Sequence, residues 1–96
     1  MDLVFEWDPR KDQANLRKHR ITFSEATSVF GDPLARIFAD GAHSTGERRE
    51  IIIGHSQARG LLLVCFTEWE EGRVRIISAR RATRKEQRDY EEHVTP

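Results

Sequence analysis

Val74-Arg75-Ile76-Ile77-Ser78-Ala79-Arg80-Arg81-Ala82-Thr83-Arg84-Lys85-Glu86-Gln87-Arg88 is a β-branched run that turns directly into a basic helix, and its reading decides the fold. Thr83 and Glu86 have the T-x-x-E spacing of a capping box, in which the Thr hydroxyl and the Glu carboxylate satisfy backbone donors at a helix start. The strand is therefore expected to stop at Arg80 or Arg81 and the helix to begin at about Thr83. Between Arg73 and Arg88 the cations Arg73, Arg75, Arg80, Arg81, Arg84, Lys85 and Arg88 meet a single carboxylate, Glu86, although the formal net charge of the chain is zero. A strand end feeding a helix start through almost no loop holds guanidinium groups close together on rigid backbone, and planar guanidinium suits phosphate oxygens. A phosphate-bearing partner is one expectation. The other is that these arginines simply solvate a sheet surface and a terminal helix.

Outward from this stretch, 96 residues with 38% apolar content provide for one domain, residues 1–96, with one modest core. The runs Ile51 to Ile53 and Leu61 to Phe66 are far too short to span a membrane. The N-terminus lacks the pattern of a secretory signal, so the cytoplasm is the expected location. Cys65 is the single cysteine, has no internal disulfide partner and is expected to fill core volume. Zero net charge argues against long-range attraction to a polyanion, so nucleic-acid binding would depend on the local basic patch and be salt-sensitive.

Leu3, Phe5 and Trp7 alternate as a short strand, and Asp8-Pro9 offers an N-cap with proline at the first helical position. The helix to His19 is mostly polar, and its last turn carries Arg17, Lys18, His19 and Arg20, which complement the helix dipole. Thr22 and Glu25 form a second capping box, followed at helical spacing by Phe23, Ala26, Val29 and Phe30 until Gly31-Asp32-Pro33 stops the helix. Leu34 to Phe38 can form a strand, and Asp40 to Gly46 a polar loop. Three further strands, punctuated by Gln57 to Gly60 and Glu70 to Gly72, make a meander ending at Arg80. The expectation is an α+β fold, with helices on one face of a small, mainly antiparallel sheet and the other face left as a shallow concave surface. Arg75 and Arg80 are separated by an odd number of residues and would face opposite ways in an unbulged strand.

This ordered series resembles the BrnT family, the toxin half of type II toxin–antitoxin pairs and a branch of the RelE-like ribonuclease fold. The residues that carry the resemblance are Phe5-Glu6-Trp7-Asp8, Asn15, Lys18-His19, Ile21-Thr22-Phe23, Glu25-Ala26, Val29-Phe30 and Asp32-Pro33. They continue with Arg49, Gly54, the strand Leu61 to Glu68, and Arg75 to Thr83 with Glu86 and Tyr90. Two departures stand out: Arg20 occupies a place where relatives carry glycine, and an arginine common near Trp69 is absent. The resemblance implies a RelE-like fold, with two N-terminal helices on one sheet face and a C-terminal basic helix. It implies a metal-independent endoribonuclease that inhibits translation, a BrnA-type antitoxin that neutralises it, and operator DNA binding only through the toxin–antitoxin complex.

Metal-free RNA cleavage needs a base for the 2′-hydroxyl, an acid for the leaving oxygen and cations around the pentavalent phosphate. Arg80 and Arg75 are the first candidates for the cations, with Arg49 third; each is equally compatible with a surface ion pair to Glu47, Glu50 or Glu68. His19 and His55 are candidates for proton transfer, although His19 also suits a helix C-terminus and His55 a turn border. Glu68 is a further candidate base, or else a solvated carboxylate beside an acidic turn. Lys18, Arg81, Arg84 and Arg88 are candidate RNA contacts, the last two able to meet an antitoxin as well. Tyr90 either stacks a base or packs its ring on the sheet. His19, His43, His55, His93 and Cys65 are too scattered for a zinc site, and no phosphate-binding glycine loop exists, so no metal and no cofactor are expected. The competing reading is a non-catalytic basic module that docks a partner protein and assists operator DNA binding.

Overall fold

The β-branched run forms the longest-range junction of the molecule, because its strand pairs with both its hairpin partner and the start of the chain. The computed structural model describes residues 2–41 and 48–94, Val94 by its backbone alone. In order these form β1 (Val4–Glu6), α1 (Pro9–His19), α2 (Phe23–Thr27) continued by a 3-10 turn (Ser28–Gly31), β2 (Arg36–Ala39), β3 (Glu50–His55), β4 (Leu61–Glu70), β5 (Arg73–Arg81) and α3 (Arg84–Val94). The expected loop beyond Gly41, with His43 and Glu47, lies outside the described residues.

Local chemistry sets the element ends. Asp8 Oδ1 accepts from the Arg10 N–H at 2.9 Å, and Pro9 opens α1. Thr22 Oγ1 accepts from the Glu25 N–H at 3.1 Å. At α3 the box closes in both directions, with Glu86 N–H to Thr83 Oγ1 at 3.2 Å and Thr83 N–H to Glu86 Oε1 at 2.8 Å. Arg20 closes α1 in the left-handed conformation at φ 62°, its N–H donating to the Leu16 carbonyl at 2.9 Å. A side chain is strained there, so Arg20 is a cost that glycine would avoid.

The sheet order is β1-β5-β4-β3-β2, antiparallel except for the β1–β5 pair, which is parallel. That pair makes the sheet mixed. A bulge alters β5: Cys65 pairs with Ser78 but Phe66 pairs with Ile76, leaving Ile77 as an extra residue. The alternation resets across it. Val74, Ile76 and Ala79 all enter the core, and Arg75 and Arg80, opposite Thr67 and Leu63, therefore share the other face. The odd spacing that would have separated the two arginines is cancelled by the bulge.

On the first face Ile21, Phe23, Ala26 and Val29 pack against Ile52, Leu62, Val64, Phe66, Val74, Ile76 and Ala79. Full burial of side chains such as Phe23 and Leu62 contributes about 1.5–3 kcal/mol each. Phe30 joins this core through edge-to-face contacts with Phe5 and Phe66. On the second face Tyr90 of α3 packs with Ile53, Leu61 and Leu63. The second face is thus not open throughout, as the amphipathic pattern alone suggested. The buried Tyr90 brings α3 down over part of it.

Candidate functional site

The parallel partner β1 ends at Glu6, opposite Arg75, so the edge of β5 beyond it needs other partners. Asn15 supplies them. Its Oδ1 accepts from the Ala79 N–H at 3.0 Å, and its Nδ2 donates to the carbonyls of Ala79 and Ile21, both at 2.8 Å. Buried in an otherwise polar helix, Asn15 fixes α1 to β5 one residue before Arg80 and one helical turn before Lys18 and His19. Those three side chains consequently line one hollow of about 420 Å³, whose walls include Asp40, Cys65, Ser78 and Leu63.

Electrostatics distinguish the members. Desolvation is the main force pushing the His19 pKa below the ordinary imidazole value, and the neighbouring charges of Lys18 and Arg80 push the same way. His19 is therefore held toward its neutral, proton-accepting form. Arg80 makes an end-on pair with Glu86, Nη1 to Oε1 at 2.8 Å and Nη2 to Oε2 at 2.9 Å, and Nη1 also donates to the Arg81 carbonyl at 3.1 Å. The Arg80 hydrogen bonds, working against burial, lower the Glu86 carboxyl to about 2. Glu86 serves the helix cap and the arginine at once.

The other residues singled out from sequence do not line this hollow. Arg75 binds Glu6 Oε2 through Nε at 3.2 Å and Nη2 at 3.0 Å and borders a separate hollow with Asp8 and Lys11. Glu6 Oε1 also accepts from the Trp69 indole at 3.1 Å. Glu68 accepts from the Gly72 N–H at 2.9 Å and so closes the β4–β5 turn. Arg49 is half-buried just before β3, its carbonyl accepting from the Asp40 N–H at 2.9 Å. Arg81, Arg84 and Arg88 are exposed. Tyr90 is buried, its hydroxyl donating to Asp32 Oδ2 at 3.2 Å and its ring edge-on to His55 at 5.5 Å. In this arrangement its ring packs on the sheet and is not offered to a base. Asp40 and the Arg80 contact of Glu86 were not visible as site features in the sequence, and Asn15 stood there only among the residues that carry the family resemblance; its burial and its bonds to Ala79 and Ile21 give it a part in the site.

Among the described residues no three His, Cys, Asp or Glu side chains converge as a metal site, and no helix is long and apolar enough to cross a membrane. The family model for the ribonuclease toxin BrnT of type II toxin–antitoxin systems matches residues 7–86. The chain is also similar to the crystal structure of the Brucella abortus ribonuclease toxin BrnT, with a TM-score of 0.63 and 23% identity over 88% of this chain and 99% of that one. At that identity the likeness speaks to the fold. No individual curated protein matches.

Proposed function

The chain belongs to the BrnT family of ribonuclease toxins of type II toxin–antitoxin systems, and from that membership we propose that it cuts RNA internally, without a metal ion, at the hollow between α1 and β5. The observation that carries this reading is the meeting of Lys18, His19 and Arg80 around one cavity. Neutral His19 takes the proton of a ribose 2′-hydroxyl, whose oxygen attacks the adjacent phosphorus. Arg80 and Lys18 stabilise the pentavalent phosphate. The bond from phosphorus to the 5′-oxygen then breaks, and the Lys18 ammonium protonates that oxygen, leaving a 2′,3′-cyclic phosphate and a 5′-hydroxyl. His19 and Lys18 exchange their protons with water to complete the cycle.

Arg81, Arg84 and Arg88 extend the cationic surface along the end of β5 and α3, where they suit backbone phosphates or an antitoxin. Arg75, paired with Glu6, Glu68, bonded to the Gly72 N–H, and the buried Tyr90 are given supporting parts in this reading, and Arg49 remains a candidate phosphate contact. In the cell, this reading makes the chain a single RelE-like toxin domain that acts on RNA in the cytoplasm to slow translation. A BrnA-type antitoxin neutralises it, and operator DNA is bound only through the complex. The test is induced expression of the wild type and of Arg80→Ala, with total RNA inspected. Growth arrest and RNA loss from the wild type alone are expected. Intact RNA beside stable wild-type protein would overturn the nuclease reading in favour of a binding module.

A further inference from the structure

We infer that Glu86 is a positioning residue for cleavage, locking the end-on fork of Arg80 so that its side fork is held ready for an RNA phosphate. The inference rests on the ribonuclease reading of the hollow. A guanidinium has five N–H donors in a fixed plane. Glu86 takes one from Nη1 and one from Nη2, and the Arg81 carbonyl takes the second from Nη1. The Nε–H and the remaining Nη2–H, adjacent and parallel, have no partner among the described residues. That side fork has the spacing that carboxylates and phosphates accept in pairs.

The pairing therefore does not disable Arg80. A long side chain at a half-exposed position would otherwise sample many rotamers, and each binding event would have to order it. Glu86 is itself fixed, because its Oε1 also accepts the Thr83 N–H at 2.8 Å at the start of α3. Rigidity thus passes from the helix cap to the carboxylate and then to the guanidinium in the hollow. A positioning role is one of two outcomes such a pair can have. The other is inhibition, in which Glu86 competes with the phosphate for Arg80, and the two predict opposite changes in rate.

Glu86→Gln separates them, since glutamine still supplies the capping-box acceptor but not the carboxylate that holds both Nη groups. Steady-state cleavage of a short RNA should show kcat reduced about 10- to 100-fold with KM little changed, while circular dichroism shows the helices retained. An unchanged or increased kcat overturns the inference. A second measurement uses the wild type alone: its Arg80 Nε–H resonance should shift when a fully 2′-O-methylated, uncleavable RNA oligonucleotide is added. An unshifted Arg80 signal in a protein that binds the oligonucleotide overturns the inference, and the nuclease reading then stands if the same protein cuts unmodified RNA and falls if it does not. A wild type that neither binds nor cuts RNA removes both.

Discussion

The side chain of Asn15 and the backbone of Ala79 exchange a pair of hydrogen bonds, at 3.0 and 2.8 Å, that continue the sheet edge where β1 ends. A third bond from the same amide reaches the Ile21 carbonyl. Replacing Asn15 with leucine would strand an N–H and two carbonyls in a buried place. The expected loss is about 2–4 kcal/mol, given that each unsatisfied buried group costs about 1–3 kcal/mol and part of the site can relax. Urea denaturation of wild type and Asn15→Leu checks it; a loss below about 1 kcal/mol would show that water replaces the amide.

Arg20 and Gly54 are backbone positions with opposite expectations. Arg20 sits at φ 62°, so Arg20→Gly should stabilise the fold by about 1 kcal/mol, through relief of the left-handed strain. Gly54 lies where an added Cβ would stand 2.8 Å from Ala35 Cβ and 3.1 Å from Val29 Cγ1. Gly54→Ala should destabilise by about 1–3 kcal/mol, as overpacking in a closed core does. Thermal melts of both variants read the two signs directly.

These positions also mark what was legible in the sequence. The Thr83–Glu86 box, the Thr22 cap, the Asp8-Pro9 start, the end of β5 and the start of α3 depend on residues a few places apart, so spacing was enough to find them, whereas Glu25 turns its carboxylate to Ser28 and Ala58 and leaves the second box half closed. The parallel β1–β5 pairing joins the two ends of the chain, and nothing local specifies it. The Ile77 bulge was equally hidden, because Val74 to Ser78 reads as an unbroken β-branched run whichever residue is extra. It nevertheless decides that Arg75 and Arg80 share a face. The arginines of the opening stretch are concentrated in sequence, but Arg75, paired with Glu6, and Arg80, paired with Glu86, stand opposite Thr67 and Leu63 and border two different hollows.

Cleavage should depend on pH through His19. Its folded-state pKa is lowered, so the proton-accepting form persists to more acidic solution than free imidazole would allow. The acid limb of kcat/KM is therefore expected to have its midpoint below about 6.5. Followed by NMR titration of the imidazole itself, the His19 midpoint should move up only in part in Lys18→Ala, because desolvation, the larger cause, remains. A limb unaffected by His19→Gln would remove the histidine from the mechanism.

Stability should depend on pH through Glu86. Its carboxyl falls from 4.5 to about 2 in the folded protein. A depressed carboxylate stabilises above its unfolded pKa, and the contribution disappears as pH drops from about 4.5 towards 2. Since both partners are partly exposed, the size is modest after solvent screening. The difference in urea stability between wild type and Glu86→Gln should shrink between pH 6 and pH 3, values set on the order of the two ends of that window. A constant difference would mean that the carboxylate charge contributes nothing to the fold.

Arg80 and Arg75 provide the sharpest comparison, because they share a strand, a sheet face and a carboxylate partner each. Only Arg80 lines the hollow with Lys18 and His19, whereas Arg75 lies with Glu6 in another. Loss of a cation from the transition-state phosphate costs about 10²–10³ in kcat, so Arg80→Ala should fall by that order. Arg75→Ala should lose no more than a few-fold, in step with whatever stability the Glu6 contact provides. The measurement is multiple-turnover cleavage of one RNA by both variants at a temperature where each is folded, in buffer containing EDTA. Equal losses would mean that RNA spans both hollows, with Arg75 contacting a phosphate of its own. Loss of wild-type activity to EDTA would instead require a metal ion in the reaction, and the roles given to Lys18 and His19 would fall with it.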